Sequence, residues 1–229
     1  MNWMQTEDYL KKDDRLVLVL GSTEGHGYCT LGTDTLTTWE IAKAACEQEG
    51  VLLAPSLPYG PTQSLMAYPG TTSIDPRTYL DFVEQVVRGF ISHGFHHILL
   101  LSGHGGNALV ERHVGVFREE NPDVFVKFRS WYLLPNVLEF MKARGGDETQ
   151  HGSWIEGFPW INQLVPVPTG EKPPVDRTEY RSLTPQETRQ RMGDGMGGGA
   201  YSQDDQTMRE YFQIAVDDVL DVLRNSWTP

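Results

Sequence analysis

The chain has 229 residues, 19 Lys and Arg against 31 Asp and Glu, and a formal net charge of −12. A chain of this length buries a full core without staples, and with only two Cys a disulfide scaffold is excluded. Net acidity argues against a general electrostatic grip on nucleic acid or anionic lipid, and no apolar run is long enough to span a bilayer.

The polar, mixed-charge opening Met1–Asp14 carries no apolar leader, so a cytoplasmic protein is expected. Leu16–Leu20 is a short apolar run that stops at Gly21 and reads as a buried strand. Thr33–Gln48 reads as a helix, capped by Thr33 or Asp34, with Leu36, Ile41, Ala44 and Ala45 inward. Val51–Ala54 is a second apolar run, and a Pro/Gly-rich connection follows from Pro55 to Thr72. The clearest helix is Pro76–His93, with Asp75 as N-cap and Tyr79, Phe82, Val83, Val86, Val87, Phe90 and Ile91 at helical spacing. His97–Leu101 is then a strand, Asn107–Glu120 a helix, and Val124–Ser130 an alternating strand. A short helix follows Pro135 and ends at Gly145-Gly146. Leu164–Pro185 reads as an extended surface segment and Asp194–Ala200 as a flexible loop. Thr207–Asn225 closes the chain as an amphipathic helix with Phe212, Ala215, Val216, Val219, Leu220 and Leu223 inward. The alternation predicts one α/β domain over residues 1–229 with a largely parallel sheet.

Three polar clusters flank these elements. Gly21-Ser-Thr-Glu24-Gly-His26-Gly27, followed by Gly32-Thr-Asp34, lies just past a strand, where α/β domains place ligands. Glu24, His26 and Asp34 are a reasonable divalent-metal set. The alternative is that Asp34 caps its helix while Glu24 and His26 are solvated. Ser102-Gly-His104-Gly-Gly-Asn107 follows the next strand, with Asn107 able to cap a helix. His151-Gly-Ser-Trp154-Ile-Glu156 is the third cluster, and its ends converge only if His151 precedes a helix. Trp154, Phe158 and Trp160 either wall a pocket or belong to the core. Acid and His groups with one shared carboxylate are what a two-metal hydrolytic site requires. No H-E-x-x-H, phosphate loop or G-x-S-x-G elbow is present.

At these residues the sequence resembles the creatininase family, whose motifs G-S-x-E-x-H-G with G-T-D, N-G-H-G-G-N and H-x-x-x-x-E match Gly21–Asp34, Ser102–Asn107 and His151–Glu156. The resemblance implies a three-layer α/β/α sandwich with a mainly parallel central sheet, assembled as a homo-hexamer. It implies two divalent ions, Zn, Mn or Fe, one held by Glu24, Asp34 and His104 and the other by His26, Asp34 and Glu156. A water activated between them would attack a carbonyl of a small cyclic substrate, with His151 and Glu156 as the catalytic groups and His151 the proton carrier. Trp154, Gly105 and Tyr201 are the expected substrate contacts. Creatininase itself has Tyr and Glu where this chain has Gly105 and Gly106, which argues against creatinine as substrate; Ser102 in place of the usual Asn is a mild change. The implied reaction is opening of a cyclic amide. The alternatives are hydrolysis of a C–C bond in a cyclic diketone such as 3-dehydro-scyllo-inosose, in inositol catabolism, and a non-catalytic metal-bound relative.

Overall fold

Leu16 to Leu20 carry no exposed surface, and with Arg15 they form β1 (Arg15–Leu20). A strand buried on both faces shows no alternation, because each side chain meets a helical layer above or below the sheet. In this computed structural model, which describes residues 2–161, 165–176 and 182–227, β1 lies between β2 (Leu52–Leu53) and β3 (His97–Ser102), and β4 (Phe125–Ser130) pairs beyond β3. All three pairings are parallel. Leu20 pairs with Ser102 and Ser102 with Ser130, so three strands end at one level and their following loops leave the same edge.

Parallel neighbours need crossovers, and helices supply them. On one face α2 (Thr33–Glu49), α5 (Pro135–Lys142) and α7 (Asp205–Asn225) cover Val17, Val19, Leu99 and Leu101. On the other, α3 (Pro76–Ser92) and α4 (Gly115–Glu120) cover Leu16, Leu18, Leu20, Ile98 and Leu100. These are the three expected layers. Each such Leu or Val, fully buried, contributes about 1.5–3 kcal/mol. Asp75 caps α3 by accepting from the N–H groups of Arg77 and Thr78. Asp218 of α7 accepts from the N–H groups of Asn136 and Val137, so the first turn of α5 is capped by a side chain from another helix.

Several expectations are corrected. α1 (Trp3–Leu10) occupies part of the opening segment, started by a capping box between Asn2 and Gln5. Its Tyr9 hydroxyl donates to Arg15 O and accepts from Leu52 N–H, tying the helix to β1 and β2. Leu36 and Phe82 face outward rather than into the core. Asn107–Glu120 is not one helix: a 3-10 turn at Gly105–Val110 precedes α4. The glycines there weaken a helix, and the Asn107 amide instead donates to Gly21 O and Ser102 Oγ. Within Leu164–Pro185, residues 164 and 177–181 lie outside the described residues. The described remainder includes β5 (Glu171–Lys172) and leads into α6 (Pro185–Met192). The Asp194–Ala200 segment is packed rather than loose: Gly195 to Gly198 are buried, and Gly199–Ala200 forms β6, antiparallel to β5.

Candidate metal centre

The level strand ends bring the three sequence clusters to one edge. Gly21 leads out of β1 against Thr35 of α2, where a Cβ would overlap the Thr35 side chain, so only glycine allows this approach. Ser22, Glu24 and His26 are then buried to within 2% of complete. Asp34 lies in the first turn of α2, yet the N-cap is Gly32 and no side chain caps the helix. The Asp34 carboxylate turns into the site and accepts the Ser22 hydroxyl at Oδ2, 2.7 Å away. The capping and solvated-loop alternatives are therefore set aside. His104 leaves β3, and His151 and Glu156 arrive from a run of turns with no helix. Gly152, at φ +70°, makes that turn and donates its N–H to Glu156 Oε2 at 2.6 Å.

Each of the three histidines presents one nitrogen to a backbone carbonyl. His104 Nε2 meets Pro61 O at 2.8 Å, His26 Nδ1 meets Glu24 O at 3.2 Å, and His151 Nε2 meets Gly25 O at 2.9 Å. A carbonyl only accepts, so these nitrogens carry the proton and the opposite nitrogen faces the carboxylates. His104 Nδ1 lies 3.0 Å from Asp34 Oδ2 and 3.3 Å from Glu24 Oε1. His26 Nε2 lies 3.0 Å from Asp34 Oδ1 and 3.8 Å from Glu156 Oε2. His151 Nδ1 lies 3.8 Å from Glu24 Oε1, its ring 4.0 Å from that of His26.

A neutral imidazole lone pair pointed at a buried carboxylate is repulsive unless a cation lies between them. Either a second proton or a metal ion can fill that place. His26 Nε2 has no aligned hydrogen-bond partner despite its closeness to Asp34, and Glu24 Oε2 is likewise buried without one. Unsatisfied atoms of this kind, on oxygen and imidazole donors, fit a divalent ion. Among the described residues, three sets bring their donor atoms within 4.8 Å of one another: Glu24, Asp34 and His104; His26, Asp34 and Glu156; and Glu24, His26 and His151.

Without an ion, protons take its place. Burial disfavours a charged His26, but Asp34, with Glu156 and Glu24 behind it, outweighs this and lifts its pKa to about 10. His104 is raised well above its usual value, against burial, by Glu24 and Asp34. Burial pushes the Glu24 carboxyl up, yet His104 brings it down to about 2. Asp34 is likewise held far below the carboxylate range, against burial, by His26 and His104. Glu156 goes the other way, to about 7, because burial and the Asp34 and Glu24 charges exceed the help from His26 and the Gly152 N–H.

The centre lies at the base of a cleft of about 760 Å³, whose walls include Thr62, Gln63, Leu65, Gly105, Tyr132, Ile155 and Leu183. Gly105 is thus placed where a substrate contact was expected. Trp154 is not: it is 1% exposed and packs on Tyr211 in the core, as Phe158 does. Trp160 stacks edge-on to Phe212. Tyr201 also stands outside the described cleft lining, bonded to Asp194 Oδ2 at 3.2 Å and edge-on to Tyr28. Sequence reasoning missed Ser22 and Tyr132. Tyr132 sits two residues past the end of β4, in the 3-10 turn Trp131–Leu133, and burial together with the Asp34, Glu156 and Glu24 charges raises its hydroxyl pKa.

The family model described as creatininase, creatinine amidohydrolase, matches residues 1–223. The chain belongs to the creatininase family. A 3-dehydro-scyllo-inosose hydrolase of Thermotoga maritima is 25% identical over 193 residues, 81% of this chain and 61% of that protein. The chain therefore matches less than two thirds of that relative's length. A creatinine amidohydrolase of Pseudomonas putida is 26% identical over 176 residues, 68% of this chain and 67% of that one. Among solved structures, a mutant creatininase of Zn-Zn type superposes with a TM-score of 0.82 at 22% identity, covering 100% of this chain and 97% of the other. That likeness establishes the creatininase fold for this chain.

Proposed function

We propose that this creatininase-family chain is a hydrolase that holds two divalent ions and opens a small cyclic substrate at a carbonyl group. The observation that carries the reading is the division of the Asp34 carboxylate, with Oδ1 facing His26 and Oδ2 facing His104. One ion would be held by Glu24, Asp34 and His104 and the other by His26, Asp34 and Glu156, with Zn, Mn or Fe suited to these donors. Two such ions, when bound, supply a water that is nucleophilic near neutral pH and polarise a carbonyl.

The chain's own groups do the rest. Pro61, Glu24 and Gly25 carbonyls hold the three imidazoles in one tautomer, so no rearrangement is needed at each turnover. His151 is the proton carrier: its Nε2 proton is committed to Gly25, so the proton delivered to the leaving group travels on Nδ1. Glu156 stands beside it as the second acid–base group. Gly105 and Gly106 leave the approach to His104 free of side chains, and Leu65, Ile155 and Leu183 shield the bound ring from water.

A cyclic amide is the first reading of the substrate. A cyclic diketone, cleaved between carbons, is the second, favoured by similarity over 81% of the chain to a 3-dehydro-scyllo-inosose hydrolase. A homo-hexamer in solution belongs to the same proposal. The test is metal content per chain after purification without added metal or chelator. About two equivalents are expected from the two donor sets, falling in Asp34→Asn without loss of helical signal. A chain that takes up no ion even on soaking contradicts the proposal.

A further inference from the structure

We propose that Ser22 is a positioning residue for Asp34, and that through this carboxylate it sets the affinity for both ions. The proposal rests on the two-ion reading above. Ser22 carries no exposed surface, and its hydroxyl donates to Asp34 Oδ2 at 2.7 Å, the short distance of a bond to a charged acceptor. Its backbone is fixed as well: Ser22 O accepts from Thr35 Oγ1 at 3.2 Å, and Gly21 lies flat against Thr35. The hydroxyl is thus referenced to both the end of β1 and the first turn of α2.

An Asp carboxylate rotates easily about its last torsion, so its plane must be held by donors. His26 Nε2 and His104 Nδ1 each lie 3.0 Å from one Asp34 oxygen. With ions bound, both imidazoles would give their electron pairs to the ions and would not hold Asp34. The Ser22 proton remains. It keeps Oδ2 toward Glu24 and His104, which leaves Oδ1 toward His26 and Glu156. Because both oxygens belong to one rigid group, losing the Ser22 bond disturbs both ion positions, whereas losing Glu24 disturbs one.

The test is titration of the chelator-stripped full chain with Mn²⁺, with free ion followed by electron paramagnetic resonance. Wild type is expected to take up two ions. Ser22→Ala is expected to fold, by circular dichroism, and to bind both ions at least about tenfold more weakly. Glu24→Gln should lose one step and keep the other near its wild-type affinity. Should Ser22→Ala fail to fold, Ser22→Cys keeps the volume with a weak donor and a thiol that suits Mn²⁺ poorly, and the same loss is expected. Wild-type affinity in the folded Ser variant, even with a lowered melting temperature, overturns the proposal and leaves Ser22 a structural residue. A wild-type chain that binds no Mn²⁺ overturns the two-ion reading together with it.

Discussion

Gly152 and Glu156 are joined by a 2.6 Å bond from backbone N–H to carboxylate, and Gly152 adopts φ +70° to make it. A Cβ at this position would lie 3.0 Å from the His26 carbonyl carbon and 3.1 Å from its oxygen. Gly152→Ala is therefore strained twice, by a left-handed backbone and by pressure on the His26 backbone. The expected cost is about 1–2 kcal/mol of stability from the backbone alone. Because the displaced groups are His26 and Glu156, the variant should also lose the ion assigned to them while retaining the other. Denaturant melts and metal content check the two parts separately.

The His151 ring packs against that of His26, tilted by 39°, and points Nδ1 toward the centre, but His151 belongs to neither of the two donor sets that share Asp34. His151→Gln should keep two equivalents of metal and lose turnover by about 10²–10⁴-fold, the range for a general acid–base group. The assay is ring opening of whichever cyclic amide or inosose the wild type accepts. Loss of metal in the variant would show that His151 serves as a ligand in the third donor set instead.

Proton binding in the ion-free centre makes its stability depend on pH. His26 is raised to about 10 in the folded chain, so its stabilising contribution is complete below the unfolded value near 6.5 and is lost as pH rises through 10. Glu156, raised to about 7, gives stability that is present below about 4.5 and lost as pH rises through 7. Glu24, lowered to about 2, works in the opposite direction: its contribution is present above about 4.5 and lost as pH falls through 2. Chelator-treated protein should therefore melt at progressively lower temperature from pH 6.5 to 10, and His26→Asn should flatten that slope. Metal binding displaces the same protons, so stabilisation by added Mn²⁺ should grow over that interval. A slope unchanged in His26→Asn would contradict this assignment.

How much of this was legible in the sequence follows from the range of the signals. Leu16–Leu20 and His97–Leu101 announced buried strands because a continuous apolar run can be satisfied only between two layers. Asp75-Pro76 announced the start of α3 because capping is chemistry within one turn. α1 and α6 carry equally local signals, the capping boxes Asn2–Gln5 and Thr184–Glu187. Leu36 and Phe82 were misplaced because helical spacing identifies a stripe but not its edges. The Asn107 helix failed because a side chain expected to cap locally instead bonds Gly21, 86 residues away.

The sequence by itself determined the donor chemistry of the centre. Glu24, His26, His104, His151 and Glu156 each stand beside a glycine, and Asp34 opens α2 two residues after Gly32. Tertiary structure alone decided their tautomers, their protonation and which oxygen of Asp34 faces which histidine. Those properties depend on Pro61, Gly25 and Ser22 lying within about 3 Å of the groups they orient. Only the register that ends β1, β3 and β4 at one level brings such distant segments together. It also decided that Trp154 is core rather than pocket wall, since an aromatic beside a site motif is compatible with either until the helix packed over it, here α7 through Tyr211, is in place.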